Sequence, residues 1–206
     1  MNILVLAGGE LGLKPEPRPW DLVIAADSGL RHAETLGVKI DTVIGDLDSV
    51  DPAQLEQARI LGTEIISYPT DKNETDLELA LRLAIERGAQ TIDVVGISAG
   101  RADHELANFL LLAHQDFRDT SITAWVRDAK ITVIHREQVL TGSIGSPVSL
   151  LPLNSNARGV TTSGLRWKLD NDELTVGSTR GVSNEFVEQK VTVQLKEGVL
   201  LAIQPE

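Results

Sequence analysis

A change of rhythm part-way along the chain constrains its fold more than any other feature. Up to about Asp128, short apolar runs alternate with segments of helical periodicity; beyond it, helical periodicity disappears and only short, turn-bounded segments remain. The runs Ile3–Ala7, Leu22–Ala26, Thr42–Ile44, Glu64–Ser67, Ile92–Val95 and Ile122–Val126 are rich in Val and Ile and bounded by Gly, Asp or Pro, as strands are. Most lack in–out alternation, which suits strands buried on both faces of a parallel sheet. Between them, Asp51 and Pro52 form a cap and first helical position, and Gly62 ends that segment. Thr75 and Glu78 make a capping box ahead of Leu77, Ala80, Leu81, Ala84 and Ile85 at helical spacing, with Gly88 placed to stop the helix. Leu106, Phe109, Leu110 and Ala113 repeat in the same way.

The alternation predicts a three-layer α/β domain with a mainly parallel sheet over residues 1–128. Over residues 129–206, the segments Ile131–His135, Val148–Pro152, Gly159–Thr162, Leu165–Leu169, Leu174–Gly177, Lys190–Leu195 and Leu200–Ile203 are separated by Gly, Asn, Asp and Pro. Asp170-Asn171-Asp172 reads as a hairpin turn. This spacing predicts a small all-β sandwich or barrel.

Composition narrows the chemistry. There is no cysteine, so disulfides, Cys-ligated metals and Cys nucleophiles are excluded. A net charge of -11 repels phosphate backbones, so nucleic acid and anionic membranes are not expected as partners. The same charge suits a divalent-cation site, although an ordinary solvated acidic surface is the first explanation of the bulk excess. No apolar run approaches the roughly 20 residues that cross a bilayer. Met1–Leu6 lacks a basic leader and reads as a first strand, so a cytoplasmic location is expected.

Three segments at predicted strand-to-helix junctions carry candidate chemistry. In Gly45-Asp46-Leu47-Asp48-Ser49, an extended backbone would aim Asp46 and Asp48 at one point, at the strand end where open α/β sheets bind ligands. Two carboxylates so close favour a cation between them, but a polar turn with capping Asp and Ser would read the same. Asp71-Lys72-Asn73-Glu74-Thr75-Asp76 leads into a helix N-terminus, where Lys72 could hold a phosphate oxygen and Asp76 could face a metal. Acidic residues in a first helical turn are also ordinary stabilisers. Gly96 to His104 combines glycines, which allow close approach of a ligand, with Arg101, Asp103 and His104. Arg101 suits the negative charge of phosphoryl transfer, while Asp103 could bind metal or take a proton. Loops of this class gather on one sheet edge, so Asp46, Asp48, Asp76 and Asp103 could converge around Mg²⁺.

The order and spacing of these motifs resemble thiamine pyrophosphokinases. The shared elements are Ala25–Gly29, Gly45–Ser49, Asp71–Glu78, Gly100–Asn108, Gly164–Leu169 and Ser183–Phe186, spread over nearly the whole chain. The resemblance implies an N-terminal α/β nucleotide domain, a C-terminal β-sandwich and a homodimer with its sites between subunits. It implies Mg²⁺-dependent transfer of pyrophosphate from ATP to thiamine, giving thiamine diphosphate and AMP. Asp46, Asp48 and Asp76 then match the metal ligands; Lys72, Gly100, Arg101, Asp103 and His104 match the nucleotide and phosphate site. Gly8, Gly9 and Asp27 would line the same cleft. Ser183 and Asn184 match a loop reaching the partner's site, with Phe186 the candidate for stacking on the thiamine pyrimidine. Asp71 or Asp103 would accept the hydroxyl proton. Asn73 and Ala99 depart from the family pattern, which has Asp and Gly there. Trp167 is expected to pack in the sandwich core, Trp20 and Trp125 to be structural, and His32, His114 and His135 to be surface or packing residues. Two other readings stay open: transfer to another hydroxymethyl heterocycle such as a pterin, and a non-catalytic sensor of nucleotide or thiamine.

Overall fold

A computed structural model describes residues 1–98 and 100–206. The expectation about Ala99 lies outside the described residues. The chain forms two compact units, Met1–Leu111 with Ile122–Arg127, and Leu112–Ser121 with Asp128–Glu206.

The first unit contains β1 (Asn2–Leu6), β2 (Leu22–Ala26), β3 (Thr42–Gly45), β4 (Glu64–Ser67), β5 (Thr91–Val95) and β6 (Ser121–Val126). Its helices are α1 (Ala33–Leu36), α2 (Pro52–Ile60), α3 (Asp76–Glu86) and α4 (Ala102–Leu112). The strands run in the order β6-β5-β1-β2-β3-β4. The four pairings from β5 across to β4 are all parallel. Leu4, Leu6, Val23, Ala25 and Val43 pack on one face with Ala58 of α2 and with Ala33 and Leu36 of α1. Alternation leaves Ile3, Val5, Ile24 and Ile44 for the opposite face, and α3 packs on β1, β2 and β3. Helices on both faces complete the three layers. Trp20 and Trp125 each donate an indole N–H to the buried carboxylate of Asp93, at 3.1 and 3.0 Å, and the Arg18 guanidinium, 2.5 Å from the same group, balances its charge.

Local chemistry sets the helix boundaries. Asp51 Oδ1 accepts from Ala53 N at 2.9 Å, and Thr75 Oγ1 accepts from Glu78 N at 3.2 Å. Gly88 takes a left-handed conformation (φ 84°) just past Arg87, the C-cap of α3. Helix α4 departs from expectation in its facing. Its apolar stripe is not core: Leu106 is 58% and Leu110 41% exposed, and the buried positions are Leu112 and Ala113 at its end.

Because the chain proceeds from β1 outward to β4 and then returns to β5 on the other side of β1, the switch point lies between β1 and β5. There the two loops are zipped together: Gly9 N donates to Gly96 O at 2.7 Å, and Ala7 N to Val95 O at 2.9 Å. A β-carbon on Gly9 would collide with the carbonyl oxygens of Gly96 and Ser98. Gly9→Ala is therefore expected to destabilise the protein by about 1–3 kcal/mol, the usual cost of overpacking. Urea unfolding checks this, and an unchanged midpoint would mean the two turns are not in contact.

The second unit holds β7 (Ala129–Ile134), β8 (Glu137–Thr141), β9 (Pro147–Pro152), β10 (Ala157–Ser163), β11 (Asp172–Leu174), β12 (Asn184–Glu185), β13 (Lys190–Gln194) and β14 (Leu200–Pro205). They form two antiparallel layers, β12-β9-β14-β7 and β11-β10-β13-β8. Val148, Leu150, Leu200 and Ala202 of the first meet Leu140, Val160, Val191 and Val193 of the second in one core. This is the expected β-sandwich.

Three details differ from the sequence reading. Leu165–Leu169 is not a strand; only Leu165 forms an isolated bridge, to Phe186, and the Trp167 backbone is taken by the Asn184 side chain. Leu174–Gly177 is the end of a strand running into a turn. The polar edge strand β8 and the two-residue β12 carry too little apolar pattern to be read in advance.

Candidate active site

The carboxyl edge of the parallel sheet gathers acidic groups from three loops. Asp27 follows β2, Asp46 and Asp48 follow β3, and Asp76 opens α3 after β4. One carboxylate oxygen from each of Asp27, Asp46 and Asp48 lies within 4.8 Å of the others. Asp76 adjoins them: a β-carbon on Gly45 would lie 2.9 Å from Asp76 Oδ1 and 3.2 Å from Asp27 Cβ. The cluster thus includes Asp27, which the sequence had placed only along the cleft. Asp46 and Asp48 converge, but not through extended backbone. Leu47 between them is left-handed (φ 63°), and Asp48 N donates to Asp46 Oδ1 at 3.3 Å, closing a turn. Asp27 is also left-handed (φ 48°). Such conformations cost of order 1–3 kcal/mol and concentrate where a site needs them.

Lys72 sits among these groups. Its Nζ is 2.8 Å from Asp46 Oδ2 and 3.1 Å from Asp76 Oδ1. Its hydrogen bond holds the Asp46 carboxyl below the usual carboxylate range. The Asp46 charge in turn raises the neighbouring Asp48 carboxyl, and burial raises that of Asp76. For Lys72, burial opposes the charge, but the hydrogen bonds to Asp46 and Asp76 outweigh it and its pKa is raised. Ser49 Oγ donates to Asp27 Oδ2, whereas Asp27 Oδ1 is buried without a hydrogen-bond partner. Asp27 thus brings a buried, unpartnered oxygen to a group of three carboxylates, a donor set that a hard divalent ion such as Mg²⁺ satisfies.

Among the described residues, Asp103 is not one of the clustered carboxylates. Arg101 and Asp103 are exposed and paired with one another at 2.7 Å, which raises the one pKa and lowers the other. Gly100 is left-handed (φ 69°) and, like His104, exposed. Asp71 and Asn73 are exposed. The carbonyls of Gly8 and Gly9 accept from Arg31, and His32 Nε2 lies 2.8 Å from Gly9 O. His32 is therefore a buried anchor of the turn, while His114 Nδ1 caps a short 3₁₀ turn by accepting from Asp116 N.

In the second unit, two motifs distant in sequence form one piece. Asn184 is buried; its Oδ1 accepts from Trp167 N at 3.1 Å and its Nδ2 donates to Trp167 O at 2.8 Å. Arg166 N donates to Glu185 O, and the two side chains pair at 3.1 Å. The Asn184 amide thus braces the Trp167 backbone from both sides. Ser183 is exposed and left-handed (φ 59°). Phe186 and Trp167 have exchanged their expected places. Phe186 is 0% exposed and fills the sandwich core against Gly142, so it offers no stacking face. Trp167 is 57% exposed, with the Arg166 guanidinium 5.2 Å from its ring centroid.

Comparison with known proteins decides the lineage. Residues 18–124 match the family model for the thiamin pyrophosphokinase catalytic domain, and residues 130–200 match that for the thiamin pyrophosphokinase vitamin B1 binding domain. The chain belongs to the thiamine pyrophosphokinase family. Among thiamine pyrophosphokinases, that of Bacillus subtilis is 27% identical over 208 residues, covering 98% of this chain and 97% of the relative. Its crystal structure superposes with a TM-score of 0.85 at 26% identity, covering 100% of this chain and 99% of that one. Thiamine pyrophosphokinase 1 of Arabidopsis thaliana is 31% identical over 176 residues, and the match spans 80% of this chain and 65% of the plant protein.

Proposed function

We infer that this chain is a thiamine diphosphokinase, transferring a pyrophosphoryl group from ATP to the hydroxyl of thiamine and releasing AMP. The observation that carries this is the clustering of Asp27, Asp46 and Asp48 beside Lys72 at the carboxyl edge of a parallel sheet, in a chain whose two halves match the catalytic and vitamin B1 binding models. Asp27, Asp46 and Asp48 would hold Mg²⁺, with Asp76 adjoining. When bound, the ion supplies charge neutralisation at the phosphate oxygens. Lys72, kept protonated by its two carboxylates, donates to a phosphate oxygen as the nucleotide arrives. Arg101, on the following loop, neutralises charge at the leaving phosphate once it exchanges Asp103 for that anion.

The thiamine hydroxyl attacks the β-phosphorus and its proton passes to Asp71. Among the described residues Asp71 has no ion pair or hydrogen bond to its carboxylate. Asp103 is the weaker base, because Arg101 already holds it and lowers its pKa. The first unit serves the nucleotide and the second the acceptor, whose aromatic ring stacks on Trp167. The working form is a homodimer in the cytoplasm, in which each copy presents its acceptor surface to the transfer site of the other. The exposed Leu106 and Leu110 of α4 support it, since an apolar helix face of this kind marks an association surface.

Incubation with Mg²⁺, ATP and either thiamine or a hydroxymethylpterin tests the reading. AMP and thiamine diphosphate are expected in the first mixture alone. AMP formed only with the pterin would move the reaction to that acceptor, and binding of nucleotide without AMP would leave a sensor.

A further inference from the structure

The transfer chemistry makes no use of a groove of about 490 Å³ between α1 and α2. Its volume falls within the range of small-molecule sites. Leu30, Ile40 and Ala58, all buried, give it an apolar floor; Arg31, Glu34 and Lys39 stand on its rim. Two cations against one carboxylate make this rim positive in a chain of net charge -11. Lys39 is exposed and, among the described residues, pairs with no carboxylate. Its ammonium is therefore available to an anion whose apolar body lies on the floor below.

Arg31 connects the groove to the sheet edge. Its guanidinium donates to Gly8 O and, at 2.9 Å, to Gly9 O. Gly9 N in turn donates to Gly96 O across the switch point. An anion in the groove would compete with these two carbonyls for Arg31, and its occupation would then loosen the turn that joins β1 to β5.

We propose that this groove is a second small-molecule site, taking an apolar ring system that carries one anionic group, and that its occupation is felt at the Gly8-Gly9 turn. The probe is 8-anilinonaphthalene-1-sulfonate, followed by its fluorescence. One saturable site is expected, weakened about tenfold or more by Lys39→Glu, which reverses the rim charge at an exposed position. Ala58→Trp, which fills the floor, is expected to abolish it. With the dye bound, amide exchange at Gly9 should quicken. Equal dye affinity in the wild type and both variants would overturn the site, as binding on the α4 face or in the transfer cleft would produce. Unchanged Gly9 exchange with the groove saturated would overturn the coupling. If Ala58→Trp does not fold, Lys39→Glu decides alone. Neither readout requires pyrophosphoryl transfer, so the result stands apart from that of the transfer assay.

Discussion

Asp46→Asn is expected to lower kcat by at least about a thousandfold while leaving the fold in place. Asp46 has two tasks: its carboxylate belongs to the cluster with Asp27 and Asp48, and it anchors Lys72 at 2.8 Å. An amide keeps the shape but donates where an acceptor is needed, so it weakens a hard cation and frees the lysine together. Losing a group that stabilises transferring charge typically costs about 10²–10³ in rate, and Asp46 serves two such groups. The substitution should not unfold the chain, because it also relieves the repulsion that raises the Asp48 carboxyl. Steady-state kinetics over a Mg²⁺ titration, with circular dichroism melts beside them, check both halves. Turnover near the wild-type rate at ordinary Mg²⁺ would remove Asp46 from the site.

Trp167→Ala is expected to raise the thiamine KM strongly with little change in stability. Stacking of a base on an aromatic side chain is worth about 1–3 kcal/mol by alanine substitution, equivalent to roughly 5- to 150-fold in affinity. Trp167 is mostly exposed, so its removal leaves no cavity. Trp167→Phe should recover most of the loss. Phe186→Ala gives the contrasting result: truncation of a fully buried ring should cost about 3–5 kcal/mol and appear as poor folding. The two variants are separated by measuring KM and the urea midpoint on the same preparations. An unaltered KM in Trp167→Ala would show that thiamine binds elsewhere.

That contrast marks where the sequence was legible. Asp51, Thr75 and Gly88 could be placed because each acts on backbone within a few residues of itself. The parallel strands could be placed because burial on both faces leaves continuous apolar runs. Facing was harder to read. Phe186 and Trp167 lie in short β-region segments with no long periodicity, so nothing local says which ring is inside. In α4, the apolar stripe has the pattern of a core helix whether it meets the same chain or another surface. The pairing of Asp46 with Asp48 was legible from spacing, but the left-handed Leu47 that achieves it was not, since bulky residues rarely adopt that conformation. Asn184 presented a similar difficulty. Nothing in its local sequence shows that its amide hydrogen-bonds the Trp167 backbone, 17 residues away.

The arrangement of the three indoles makes the protein its own optical instrument. Trp20 and Trp125 are tethered to Asp93 inside the first unit, whereas Trp167 stands in solvent on the second. Emission should therefore divide into a shielded blue component and a red one open to iodide. A molecule settling on the outer ring would dim only the red light, and loosening of the sheet would shift only the blue.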